Sequence, residues 1–168
     1  QRCGVPGRVE LGGETPAGGH GDVDLAQTPD ARETVLKALR PDTAGSRHVI
    51  SGGGGDRDRG KRPLMGRIAV TLADIVLITD DNPRSEDPAT IRAAVIAGAV
   101  AHDPDKSVTE VGDRAEAILR GVDMLGPGDA LLIAGKGHET GQIVGDDVLP
   151  FDDAEQASVA VAALEGRL

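Results

Sequence analysis

The chain has 168 residues, 39% hydrophobic and 27% charged, with a formal net charge of -10; that length and balance suit one soluble globular domain with a real core, not a disordered chain. No apolar run approaches the roughly 18 residues of a membrane span, and Gln1-Arg2-Cys3-Gly4 is not followed by the apolar stretch of a secretory signal. A lone Cys3 excludes a disulfide framework and any cysteine-rich zinc site, which fits a reducing cytoplasm, while the acidic balance and missing Trp and Tyr disfavour nucleic-acid binding.

Taken in chain order, the first distinctive stretch is Gly12-Gly13-Glu14-Thr15-Pro16-Ala17-Gly18-Gly19-His20-Gly21, a low-complexity run expected to form a loop, not a strand interior. Residues 1–22 therefore read as a poorly structured N-terminal segment and 23–168 as the folded domain. From about Gln27 onward, short β-branched runs alternate with helical patterns. Thr28-Pro29 opens a helix with Val35, Leu36 and Leu39 on one face, and a strand follows at Arg47–Ser51. A strand at Asp74–Thr79 precedes Asp87-Pro88, which opens a helix burying Ile91, Val95 and Ala99. After a strand at Ser107–Val111, Asp113 and Glu116 form a capping-box pattern ahead of the stripe Ile118, Val122 and Leu125. A strand at Ala130–Ala134 and a last helix from about Asp153, burying Ala157, Val161 and Leu164, complete the pattern. The four strands are continuous apolar runs, expected to be buried on both faces. This βαβα alternation predicts the α/β class, a mostly parallel sheet flanked by helices. Aromatic residues make up 1% of the chain, so its core must rest on many small Val, Ile, Leu and Ala contacts.

In such a sheet, ligands bind where the carboxyl ends of the strands meet, and three polar loops leave those ends. Residues 1–100 carry 13 basic and 14 acidic side chains and 101–168 carry 5 and 14, so cations able to hold an anion sit in the first half. The first loop runs from Gly52 to Arg62, and Gly55 to Lys61 satisfies G-x-x-x-x-G-K. Arg62 stands where magnesium coordination needs Ser or Thr, which argues against a nucleotide phosphate loop. Two readings stay open: anion binding by Arg57, Arg59, Lys61 or Arg62 near a helix N-terminus, or a solvated basic turn. The second loop, Asp80-Asp81-Asn82-Pro83-Arg84-Ser85-Glu86-Asp87-Pro88, sets carboxylates and amides beside one guanidinium, a set suited to a zwitterion and equally usual in a strand-to-helix turn. In the third, Gly135-Lys136-Gly137-His138-Glu139, the glycines permit close backbone approach and Glu139 offers a carboxylate to an ammonium group. The four histidines show no paired ligand spacing, so no metal site is expected.

Together, the run GGDRDRGKRPLMGRIA from Gly54, TDDNPRSEDP from Thr79 and AGKGHE from Ala134 resemble the C-terminal domain of the Mur ligases, specifically the members that add meso-diaminopimelate. The resemblance extends from Val5-Pro6-Gly7-Arg8 to Pro150-Phe151-Asp152-Asp153. It implies a single Rossmann-like Mur ligase C-terminal domain. It further implies that Asp81-Asn82-Pro83-Arg84 is the diaminopimelate recognition motif, with Arg84 on a substrate carboxylate. By the same resemblance, Arg57 is a second carboxylate ligand, Gly135 and Glu139 hold the far amino-acid centre, Arg8 lies near the nucleotide phosphates and Asp24 near the ribose or adenine. The implied reaction is ATP-dependent, ADP-forming amide ligation in cytoplasmic peptidoglycan synthesis. Its small-molecule partners would be meso-diaminopimelate, ATP and UDP-N-acetylmuramoyl dipeptide, with Mg2+ as cofactor, and neither nucleic acid nor membrane is implied.

The departures from the family pattern are specific. No counterpart of the central ATP-binding domain or the uridine-nucleotide domain is present, so the isolated chain is expected to be inactive, with ATP and Mg2+ held mainly by domains supplied in a longer chain. Leu25 and Gln27 stand where the family has Tyr and His, which weakens the expected nucleotide contacts. The alternative expectation is a non-catalytic remnant, or small-molecule-binding module, that retains the diaminopimelate pocket.

Overall fold

The computed structural model describes residues 8–14, 18, 20–24, 29–39, 43–136 and 139–166. Their strands are β1 (Arg8–Glu14), β2 (His20–Asp24), β3 (Arg47–Ser51), β4 (Ile75–Ile78), β5 (Ser107–Glu110), β6 (Ala130–Ala134), β7 (Gly141–Val144) and β8 (Asp147–Pro150). The helices are α1 (Pro29–Leu39), α2 (Lys61–Leu72), α3 (Pro88–His102), α4 (Arg114–Asp123) and α5 (Asp153–Leu164). Six strands form one sheet in the order β1-β2-β6-β3-β4-β5, and β7 pairs with β8 in a separate antiparallel hairpin. Within the large sheet only the β1–β2 pair is antiparallel. The Rossmann-like α/β expectation therefore holds.

Successive residues of a strand face opposite sides of a sheet, so a strand covered on both sides must be apolar throughout. Val49, Val76, Ile78, Leu132 and Ala134 pack beneath α1, α2 and α3. Their neighbours Ile50, Leu77, Leu131 and Ile133 pack beneath α4 and α5. Small residues let this aromatic-poor core close: a Cβ on Gly66 would meet the Val95 carbonyl oxygen at 1.9 Å, and one on Gly98 the Pro63 carbonyl oxygen at 2.1 Å. Helices α2 and α3 thus approach at backbone range.

Asp87, Asp113 and Asp152 each accept from a backbone N–H of the first turn they precede, at Ala89, Glu116 and Glu155. Such caps hold the helix starts in place. Thr28, the expected cap of α1, lies outside the described residues.

Three expectations are corrected. The segment 1–22 is not poorly structured where it is described: β1 and β2 are sheet strands, and the register between them shifts between Glu10 and Glu14, where Gly12 and Gly13 fall. A β-bulge accommodates glycines that a regular strand interior would not favour. Strand β5 is not buried on both faces, because it forms the edge of the sheet and Ser107, Thr109 and Glu110 are exposed. Leu164, the last residue of α5, is 37% exposed, whereas Ala157 is buried.

Candidate amino-acid-binding site

The chain proceeds from β3 to β4 and β5 on one side and returns to β6 on the other side of β3. That reversal opens a crevice at the carboxyl ends of β3 and β6. The loops after β3, β4 and β6 line it together, around a cavity of about 330 Å³ walled by Arg32, Gly53, Gly54, Arg57, Asp58, Lys61, Arg62, Met65, Asp81, Asn82, Arg84 and Glu139. The three polar loops thus converge as expected.

Arg84 is the most informative wall residue. It takes the left-handed conformation (φ 52°), a strained state for a residue with a Cβ. Two backbone bonds to the hairpin hold it there: Arg84 N–H donates to the Ile143 carbonyl (3.0 Å), and Gly145 N–H donates to the Arg84 carbonyl (2.6 Å). Nη1 donates to the Gly55 carbonyl at 2.9 Å and more weakly to the Asn82 carbonyl at 3.4 Å. Among the described residues Nε and Nη2 have no protein acceptor, so one edge of the guanidinium is open.

The other loop cations divide into two kinds. Arg62 is buried, forks onto Glu86 at 2.6 and 3.3 Å, and donates to the Gly54 carbonyl at 3.1 Å. Arg59 also pairs with Glu86, at 3.1 Å. Hydrogen bonds from Arg62 and from the Asp56 N–H pull the Glu86 carboxyl down to about 2. The expectation that Arg62 binds an external anion is corrected accordingly, because its guanidinium is buried and turned onto Glu86 and the Gly54 carbonyl; Arg59 shares that carboxylate but stays largely exposed. Arg57 donates only to its neighbour's Asp56 carbonyl (3.2 Å), and neither Arg57 nor Lys61 forms an ion pair among the described residues.

The acceptors sit opposite. Asn82 is 6% exposed; its Oδ1 accepts from Lys136 Nζ (2.8 Å) and the Ile143 N–H (2.9 Å), and its Nδ2 donates to Glu139 Oε2 (3.2 Å). Gly135 lies beneath the wall with φ +121°, and a Cβ there would come within 2.6 Å of Asp81 Oδ2, so only glycine fits. Pro83 is buried and stands off the cavity wall. Gly137 and His138 lie outside the described residues, as do Leu25 and Gln27. Arg8 pairs with Asp24 across β1 and β2, and Asp24 lies alongside Ala134 at the carboxyl end of β6, which brings both backbone positions to the site's side of the sheet.

Two wall or floor cations escaped the sequence reading. Arg32, on α1, is 3% exposed and donates to Ser51 Oγ and to the Gly52 carbonyl; burial lowers its pKa to about 10, against the opposing charge of Asp81. Lys136 is fully buried. A lysine two residues after a wholly apolar strand is a signal, because it must either turn outward or be met by oxygens. Among the described residues no group of three or more His, Cys, Asp or Glu side chains could hold a metal ion.

Residues 7–137 match the family model described as Mur ligase, glutamate ligase domain. The chain belongs to the Mur ligase family. It is 55% identical over 163 residues to UDP-N-acetylmuramoyl-L-alanyl-D-glutamate--2,6-diaminopimelate ligase of Agrobacterium fabrum, a match covering 97% of this chain and 32% of that protein. The same-named ligase of Caulobacter vibrioides is 53% identical over 163 residues, with the same two coverages of 97% and 32%. The chain therefore spans about a third of the length of the curated relatives it matches. A solved structure of a ligase of that name superposes with a TM-score of 0.87 at 38% identity, covering 97% of this chain and 33% of the other. The UDP-N-acetylmuramate-alanine ligase of Thermotoga maritima shares the fold at 15% identity and a TM-score of 0.60. The Mur ligase fold thus places the loops after β3, β4 and β6 around one cavity here.

Proposed function

We propose that this chain is the amino-acid-binding domain of an ATP-dependent, ADP-forming ligase that adds meso-diaminopimelate to UDP-N-acetylmuramoyl-L-alanyl-D-glutamate in peptidoglycan synthesis. The observation that carries this is the open Nε and Nη2 edge of Arg84, held on the wall of a cavity that also contains Glu139. A guanidinium edge fits a carboxylate through two parallel bonds, and a carboxylate fits an ammonium group. Diaminopimelate and lysine share the distal ammonium, and diaminopimelate alone carries a carboxylate beside it. Arg84 and Arg57 would bind the distal carboxylate, and Glu139 and Asp81, steadied by Asn82, Pro83 and Gly135, the distal ammonium. The names of the relatives agree with this substrate.

Activation of the dipeptide carboxylate uses ATP, with Mg2+. The described residues do not fit a magnesium–triphosphate group: Arg62 occupies the Ser/Thr position of the G-x-x-x-x-G-K run and is turned onto Glu86, and no cluster of potential metal ligands is present among them. We therefore assign both mainly to the remainder of a longer ligase, with Arg8 and Asp24 adding nucleotide contacts from this chain, and expect the isolated chain to bind without catalysing. The chain's own part is to hold and orient the incoming amino acid so that its free amine meets the activated carboxylate. We place this activity in the cytoplasm; no helix among the described residues is long and apolar enough to cross a membrane.

Calorimetry on the chain with meso-diaminopimelate and with lysine tests the proposal. A charge-assisted hydrogen-bonded contact is worth about 1.5–3 kcal/mol, so meso-diaminopimelate should bind at least about tenfold more tightly. Equal affinities, or no binding by correctly folded protein, would reject it.

A further inference from the structure

Lys136 stands two residues beyond the end of β6 and is fully buried, an unfavourable place for an ammonium group unless oxygens surround it. Its Nζ donates to Asn82 Oδ1 at 2.8 Å and to the Gly141 carbonyl that opens β7, with Asp81 Oδ1 4.0 Å away. Burial, the largest influence, pulls its pKa below the ordinary lysine range; Asp81 and Glu139 oppose that fall and Arg114 adds to it.

This ammonium helps to decide which way Asn82 faces. Two donors, Lys136 Nζ and the Ile143 N–H, converge on one atom of the amide, which must then be its oxygen. The NH2 is left to meet Glu139 Oε2. Without Lys136 one of the two reasons for that orientation is gone. The same ammonium also ties Gly141 to the loop of Asp81 and Asn82, and the hairpin beginning there supplies the two bonds that hold Arg84 in its left-handed state. Gln142 Nε2 adds a further tie, to the Asp81 carbonyl at 2.7 Å. Lys136 itself is not on the cavity wall.

We propose that Lys136 is a positioning residue of the amino-acid pocket: from beneath, its ammonium group fixes the Asn82 amide against Glu139 and pins the β7–β8 hairpin that shapes the Arg84 turn. The proposal rests on the amino-acid-binding reading given above. It makes Lys136 an organiser of the two ligand-facing groups and not itself a ligand.

The test is a double-mutant cycle on the chain with Lys136→Met, Asn82→Ala and the pair, reading the Kd for meso-diaminopimelate by calorimetry alongside thermal melts. Lys136→Met should weaken binding about tenfold, as expected when a buried charged donor is removed from its acceptor. In the Asn82→Ala background the same change should weaken it by distinctly less than tenfold, because the group it orients is absent while its tie to Gly141 remains. An unchanged Kd for Lys136→Met, or an undiminished tenfold loss in the Asn82→Ala background, overturns the proposal. If Lys136→Met does not melt cooperatively, Lys136→Gln, which keeps a donor without the charge, takes its place in the cycle under the same two criteria. A second readout needs no ligand: the two NH2 proton resonances of Asn82 should lie apart and exchange slowly in the wild type and move toward free-amide behaviour in the variant. Should the wild type fail to bind meso-diaminopimelate, the substrate assignment falls, and this amide signal alone decides Lys136, an unaltered resonance pair counting against it.

Discussion

Arg114 and Arg84 both reach the carboxyl rim of the sheet, yet their surroundings are opposite. Arg114 is fully buried; Nε and Nη2 fork onto Asp153 at 2.7 and 2.6 Å, and Nη1 and Nη2 reach the carbonyls of Asp80 and Ala134. Burial works against its charge, but the bonds and charge of Asp153 prevail and hold its pKa above the ordinary arginine value. This pair joins α4 and α5 to the ends of β4 and β6. Arg84 is half-buried, anchored through Nη1 alone, and carries backbone strain. An arginine with every nitrogen bonded to protein is structural. One held by a single nitrogen, with an open edge on a cavity, is available to a ligand.

The largest expected effect breaks the structural arginine. Arg114→Ala leaves the Asp153 carboxylate buried without its partner and should cost about 3–5 kcal/mol in denaturant unfolding. Replacing both partners by Met should recover most of that, because no charge is then stranded. A double variant as unstable as Arg114→Ala would show that packing, not the pair, sets the loss.

Arg84→Gly should do the reverse. Stability should stay within about 0.5 kcal/mol of wild type, since relief of the left-handed strain offsets the added freedom of unfolded glycine. Affinity for meso-diaminopimelate should meanwhile fall by about tenfold or more. Arg57→Ala, at an exposed residue, should weaken binding by a smaller step of about 1 kcal/mol and leave unfolding unchanged within about 0.5 kcal/mol.

The tie between the first two loops should respond to acid. Glu86 has its pKa depressed from 4.5 to about 2 in the folded chain, so its contribution is fully present above pH 4.5 and is lost as pH falls toward 2. Unfolding midpoints measured from pH 5 to pH 2 should fall less steeply in Glu86→Gln than in wild type. Parallel curves would remove Glu86 from the tie.

The covered centre of the fold was readable because burial on two faces demands apolar runs: Arg47–Ser51 and Ala130–Ala134 match β3 and β6 end to end. Strands at the margins carry no such demand. β1 tolerates Gly12 and Gly13 because a bulge and one antiparallel neighbour suffice, and β8 holds its hairpin with all four residues exposed. Residue type brought Arg57, Asp81, Asn82, Arg84 and Glu139 to one cavity, since each loop follows a strand end. It could not separate Arg62 from Arg57, because that difference depends on where Glu86 comes to rest. Nor could it reveal the hairpin bonds that shape the Arg84 turn, which join residues about sixty positions apart in the chain.

The most direct test of Arg84 as the reader of the second carboxylate is the ratio of lysine to meso-diaminopimelate dissociation constants in wild type and in Arg84→Ala. That ratio should be about ten or more in wild type and fall toward one in the variant, through loss of diaminopimelate affinity alone. A ratio preserved in Arg84→Ala, or lysine and diaminopimelate weakened equally, would contradict that role.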